Sequence, residues 1–149
     1  MQVLVDADAC PVVVKDMLFR AAKRVQVCVT LVANQYLRVP PSPFIKAIQV
    51  PSGFDVADAR IVELAQHGDL VITADIPLAA AALDKGAHVH DPRGNWFNRE
   101  NIQERVTMRE VMEQLRSTGI DTGGPAPYSQ QDSKTFAGQL DRFLARSGK

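Results

Sequence analysis

The chain has 149 residues, 46% of them hydrophobic and 23% charged, and its formal net charge is zero. That length suits one domain with a real core, and the composition is ordinary for a globular chain. Neutrality excludes a global field that would draw the chain to nucleic acid or an anionic membrane, while leaving room for a local patch. No basic segment followed by an apolar one opens the chain, and no apolar run is long enough to span a bilayer. A cytoplasmic protein with no membrane partner, and with Cys10 and Cys28 kept as thiols, is expected.

Val3 to Val5 reads as the first strand, and Asp6-Ala7-Asp8 follows it directly. Pro11 to Arg24 reads as a helix, with Val14, Leu18, Ala21 and Val25 at helical spacing and Pro11 suited to a first turn. Val25 to Ala33 is β-branched and almost wholly apolar, which predicts a strand covered on both faces. Gln35 to Pro43 is a loop with three prolines, and Ile45 to Val50 alternates as an outer strand does. Asp55 to Gln66 reads as a helix with Ile61, Leu64 and Ala65 inward. Leu70 to Thr73 is a strand that runs into Ala74-Asp75, Pro77 to Lys85 a helix, and Ala87 to His90 a strand. Ile102 to Leu115 is another helix, Thr118 to Gln131 a Gly/Pro loop, and Ser133 to Ala145 a last helix.

This alternation predicts a three-layer α/β architecture, a mostly parallel sheet with helices on both faces. In such a sheet the ligand crevice lies at the carboxyl ends of the strands, where the winding direction reverses. If the Leu70 strand returns beside strand one, Asp6, Asp8 and Asp75 share that crevice. Asp58 joins them, because it precedes Ile61 by three and Ala65 by seven and so lies on its helix's apolar stripe. Gathered carboxylates repel one another unless a cation or a shared proton compensates, and an all-oxygen site suits Mg²⁺ or Mn²⁺.

Capping is the competing explanation, since Asp is a favoured N-cap and each of these residues stands near a helix start. Asp8 would cap the first helix, Asp55 the next with Asp58 in its first turn, and Asp75 the Pro77 helix. Capping does not require all of them at one sheet edge. Elsewhere, His88 and His90 share a face of the Ala87–His90 strand, read as the exposed face of an edge strand rather than a metal site. Cys10 reads as a small packed residue and Cys28 as an inert thiol in a buried strand. Gly123-Gly124 is too short for a phosphate loop and reads as a hinge. Arg38, Arg93 and Arg99 lie in or beside loops, with Trp96-Phe97 between the last two, a mixture that suits single-stranded nucleic acid as well as a packed surface loop.

The opening VLVDADACPV, then PSGFDVADARIVELA, DLVITADIPLA, HDPRGNWF, TGGPAPYSQQD and the late LDRFL together resemble the YaiI/YqxD family of bacterial proteins. The match covers nearly the whole chain. That family is in turn similar to PIN-like domains, which are compact metal-dependent nucleases. The resemblance implies a single PIN-like domain over 1–149, with 118–149 as a Gly/Pro loop and C-terminal helix extension. It implies Asp6, Asp58 and Asp75 as the metal ligands, with Asp8 where many PIN domains carry Ser, Thr or Asn. A further acidic position of that pattern has Asp91 as its candidate.

The expectation is therefore a Mg²⁺- or Mn²⁺-dependent ribonuclease with single-stranded RNA as partner. Asp6 and Asp75 would hold the ion, Asp58 would bind it directly or through water, Asp8 would orient metal-bound water, and Arg93 or Arg99 would hold substrate phosphate. A haloacid dehalogenase-like phosphatase shares the strand–Asp-x-Asp feature, with the first Asp as nucleophile. Ala9-Cys10 in place of Gly-Thr, and the lack of an acidic partner just after Asp75, speak against it. A non-catalytic metal- or nucleic-acid-binding module is the other alternative.

Overall fold

A computed structural model of the chain describes residues 1–53, 55–119 and 127–147. Six strands form one sheet: β1 (Gln2–Asp6), β2 (Cys28–Ala33), β3 (Ile45–Gln49), β4 (Leu70–Ile72), β5 (His88–His90) and β6 (Trp96–Phe97). The helices are α1 (Val12–Val25), α2 (Val56–Leu64), α3 (Ile76–Asp84), α4 (Arg99–Ser117) and α5 (Gln130–Ser147), with a 3₁₀ turn at Ala7–Ala9. The strand order is β3-β2-β1-β4-β5-β6, parallel throughout except for the antiparallel β6. Winding runs outward from β1 to β3, then returns at β4 on the other side of β1. The reversal lies between β1 and β4, as the paired strand–Asp motifs predict.

Each central strand buries both faces, and alternate residues feed two separate cores. Val3, Val5, Val29, Leu31, Leu70 and Ile72 pack on one face with Val14 and Leu18 of α1 and Phe136 and Leu140 of α5. Leu4, Val32, Val71 and Val89 pack on the other with Ile61 of α2, Leu78 and Ala82 of α3, and Ile102 of α4. The molecule is thus the three-layer α/β arrangement expected. Asp6 continues the alternation of Leu4, so it stands on the α2/α3 face; His88 and His90 flank Val89 and stand on the α1/α5 face.

Several sequence expectations need correction. Val25 ends α1 rather than opening a strand. Gln26 follows in the left-handed conformation (φ 56°) and turns the chain into β2. Cys28 is exposed at the first position of that strand, not buried at its middle. His88 and His90 do share a face, but β5 is not an edge, because β6 pairs beyond it. His88 is exposed, whereas His90 is fully buried against Trp96 and Phe136, at ring-centroid distances of 4.6 and 5.2 Å. Trp96-Phe97 is that sixth strand rather than loop. α4 begins three residues earlier than expected, because Asn98 and Asn101 form a reciprocal capping box at its start. The Gly123-Gly124 hinge lies outside the described residues.

Gly94 explains how the turn between β5 and β6 seats itself. Its φ is +85°, and a Cβ there would meet Thr135 Cγ2 at 2.9 Å and the Phe136 amide nitrogen at 3.0 Å. Only glycine lets this turn approach α5 so closely.

Candidate functional site

β1 ends in Asp6, and the alternation that buries Leu4 turns its carboxylate to the crevice beside β4. Three residues past β4, Asp75 caps the start of α3. Its Oδ1 accepts from the Leu78 amide at 2.9 Å, so the capping expectation holds for this residue. Thr73 joins the two aspartates. Its hydroxyl donates to Asp6 Oδ2 at 2.9 Å and accepts from the Asp75 amide at 3.0 Å. Thr73 thus engages Oδ2 of Asp6, and the Leu78 amide engages Oδ1 of Asp75. Thr73 is buried and has no counterpart among the sequence expectations; the signal was its position between two strand-end aspartates.

Asp58 sits half-buried in the first turn of α2, facing the same crevice. Its pKa is pushed up to about 6, first by burial, then by the charges of Asp75, Asp6 and Asp55, and by a proton shared with the Asp55 carboxyl. Asp6 is also pushed up. Burial is the largest cause, and the charges of Asp75 and Asp8 add to it, against the lowering effect of the Thr73 hydroxyl. No lysine or arginine figures among the described neighbours that set either value. The like charges of Asp6, Asp58 and Asp75 therefore act across one crevice, with Asp8 adding to Asp6 and Asp55 to Asp58.

Asp8 takes a different position from a cap. Pro11, not Asp8, precedes α1, and Asp8 Oδ2 accepts from the Asn34 amide at 2.8 Å, tying the 3₁₀ turn to the end of β2. Asp55 stands at the start of α2 with φ 63° but makes no side-chain cap. Asp91 is a structural carboxylate. Buried, it accepts from the amides of Arg93 and Asn95, each at 2.9 Å, and from Asn95 Nδ2 at 3.2 Å, and so shapes the tight turn before β6.

Of the arginines, Arg93 lies near the crevice. It helps line a cavity of about 260 Å³ together with Ala9, Pro11, Ala74 and Tyr128, next in sequence to Asp75. Its guanidinium donates to Asp132 at 2.8 Å and lies over the Tyr128 ring at 5.7 Å. Arg99 lies elsewhere: β6 runs away from the carboxyl edge, and Arg99 opens α4 beyond it. Cys10 is packed as expected, and burial pushes its thiol up to about 12, which leaves it unreactive.

The donor set fits a hard divalent ion in chemistry and charge. It is not a ready-made cage: among the described residues, no three His, Cys, Asp or Glu side chains are gathered as a metal-holding group. Mg²⁺ does not require one, because it keeps several waters and takes one or two carboxylates plus substrate phosphate. Asp6, Asp58 and Asp75 fit that sparser kind of site.

No helix among the described residues is long and apolar enough to cross a membrane. No solved structure matches the chain. A UPF0178 protein of Burkholderia cenocepacia is 80% identical over 149 residues, covering 100% of this chain and 99% of its own. One from Cupriavidus necator is 83% identical over 146 residues, covering 98% and 95%. The family profile described as "Uncharacterized BCR, YaiI/YqxD family" matches residues 4–146, and the chain belongs to that family.

Proposed function

We propose that the crevice between β1 and β4 is the reaction centre of a PIN-like, Mg²⁺- or Mn²⁺-dependent nuclease that cleaves single-stranded RNA. The observation that carries this reading is that Asp6 and Asp58, each pushed up first by burial, are both raised further by the charge of Asp75, and Asp58 also by that of Asp6, at the edge where Thr73 bridges Asp6 to the Asp75 amide. Caps and turn carboxylates have no need to crowd in this way, whereas a divalent cation converts the repulsion into affinity. When bound, the ion would act as a Lewis acid on the phosphodiester and lower the pKa of the attacking water.

The chain's own groups have separate parts in this reading. Asp6, its Oδ2 fixed by Thr73, and Asp75, its Oδ1 fixed by the α3 amide, would hold the ion from two rigid elements. Asp58, pushed up to about 6 in the ion-free chain, would release its proton as the ion binds it directly or through water. Asp8 stays oriented by Asn34 at the mouth. Arg93, held by Asp132 and Tyr128 beside Ala74, presents a fixed positive charge for a phosphate next to the scissile one. Neutral net charge gives no broad electrostatic sink for long duplexes, so one flexible strand is the better substrate. A cytoplasmic setting, where Cys10 and Cys28 stay reduced, belongs to the same reading. The phosphatase alternative needs Asp8 as a general acid over Asp6; its bond to the Asn34 amide favours an anchoring part instead.

The test is a panel of labelled RNA and DNA, single strands and duplexes, incubated with Mg²⁺ or Mn²⁺. Cleavage of single-stranded RNA, abolished by Asp6→Asn and by chelation, is expected. Equal cleavage by wild type and Asp6→Asn, or none with either ion, would overturn the nuclease reading and favour a binding module.

A further inference from the structure

The opposite face of the sheet carries a second site of different chemistry. A cavity of about 470 Å³ opens between the last turns of α5 and the β5–β6 flank, and its described lining is His88, Trp96, Phe143 and Arg146. Its volume is in the range of small-molecule sites, about 300–1,000 Å³. The walls are rings. His88 and Phe143 meet edge-on at 5.1 Å and 63°, and Trp96 and Phe143 are tilted at 5.9 Å and 45°.

These rings are held in place before anything binds. Trp96 Nε1 donates to Gln139 Oε1 at 3.0 Å, and the buried His90 packs edge-on against the indole at 4.6 Å. Phe143 belongs to the core cluster beneath α5. The polar groups at the cavity are a guanidinium and an imidazole. Arg146 is exposed, with its Nε donating to the Arg142 carbonyl at 3.4 Å, and His88 is exposed at the start of β5. The described lining includes no carboxylate.

Fixed aromatic walls with a cation at the mouth select a planar ring that carries an anion. The rings supply stacking, which is tolerant of base identity. The guanidinium supplies charge-assisted hydrogen bonds to phosphate oxygens. We infer that this cavity binds a nucleoside monophosphate, with its base against Trp96, its phosphate on Arg146, and His88 hydrogen-bonding the base or sugar, while the buried Phe143 backs the Trp96 and His88 rings.

The site is separate from the aspartate crevice. His88 is level with Leu70 and Val3 across the sheet, and Asp6 lies three residues further along β1. Strand spacing and rise put the two backbone positions roughly 14 Å apart in the plane of the sheet. Their side chains point to opposite faces. The inference therefore stands whether or not the crevice is a nuclease.

Trp96 is the chain's one tryptophan, so its emission reports on this cavity alone. The experiment titrates the full chain, in chelator, with adenosine and uridine 5′-monophosphates, with adenosine, and with inorganic phosphate. Equilibrium dialysis of the same nucleotides runs beside it, so that a silent fluorophore does not hide binding. Both monophosphates should bind saturably. Removing the ligand's phosphate, or replacing Arg146 in Arg146→Gln, should weaken binding by about tenfold or more, as loss of a charged hydrogen bond implies. Asp6→Asn should bind as wild type does. No retained nucleotide up to about 10 mM, where a millimolar Kd would saturate, overturns the inference. So does an Arg146→Gln protein with wild-type circular dichroism and undiminished affinity, and so does loss of binding in Asp6→Asn.

Discussion

Two kinds of carboxylate stand at the ends of this sheet. Asp69 and Asp91 are buried and well supplied: Asp69 accepts from the Gln66 amide at 2.9 Å and from the Gln2 amide and side chain at 3.1 Å each, and Asp91 accepts from three donors in its turn. Asp6 and Asp58 are less buried, meet other carboxylates, and are pushed up in pKa. The first pair tie β1 to β4's approach and shape the β5–β6 turn. The second pair make no comparable contribution to folding. Burial alone therefore does not separate the two pairs; the balance of donors against like charge does.

The largest expected effect sharpens that contrast. Asp69→Ala or Asp91→Ala strips three donors of their acceptor and should cost about 3 kcal/mol in urea unfolding. Asp6→Asn and Asp58→Asn should lie within about 0.5 kcal/mol of wild type or be more stable, since neutralisation relieves repulsion. A loss at Asp6 or Asp58 as large as at Asp69 would break the comparison.

Asp75 belongs to both kinds and should fall between them. Asp75→Ala loses the α3 cap, worth about 1 kcal/mol, partly offset by relief of charge, whereas Asp75→Asn keeps an acceptor and should be close to neutral. Thermal unfolding of the two variants separates capping from charge.

The smallest effect is a pH slope. Asp58 rises from 3.8 to about 6 on folding, so the folded state holds the extra proton between those values. Stability from Asp58 is thus present below about 4 and declines as pH rises to about 6. His90 acts in the opposite direction. Burial lowers its pKa from 6.5, so stability is lost as pH falls below that value. The readable quantity is the difference between wild type and Asp58→Asn: the variant should gain relative stability as pH rises from 4 to 6. A constant difference across that window would show that Asp58 is not crowded.

Most of the sheet was legible because its strands are short apolar runs with turn signals between them, and the crevice followed from two strands that each run into aspartate. Asp58 was legible from its spacing to Ile61. What escaped were features set by tertiary partners. Trp96-Phe97 is too short to show a period, and becomes a strand because Val89 and His90 lie beside it. That added strand is also what buries His90 and removes β5 from the edge. Cys28 looked buried within an apolar run, but the run is divided by Gln26, whose left-handed conformation no pattern announces. Thr73 escaped, and Asp91 stood only as a candidate for a further acidic position, because hydroxyl and carboxylate roles depend on which donors the fold delivers. Arg99 looked close to Arg93 in sequence, and the antiparallel turn into β6 carries it away.

The account rests on the crowded carboxylates being a cation site. Calorimetric titration of wild type and Asp6→Asn with Mn²⁺ at neutral pH tests that most directly, because it needs no substrate. The account predicts that wild type takes up a single ion and that Asp6→Asn, equally stable without metal, binds it more than about tenfold more weakly. Absence of Mn²⁺ binding by wild type, or equal binding by both proteins, would contradict it.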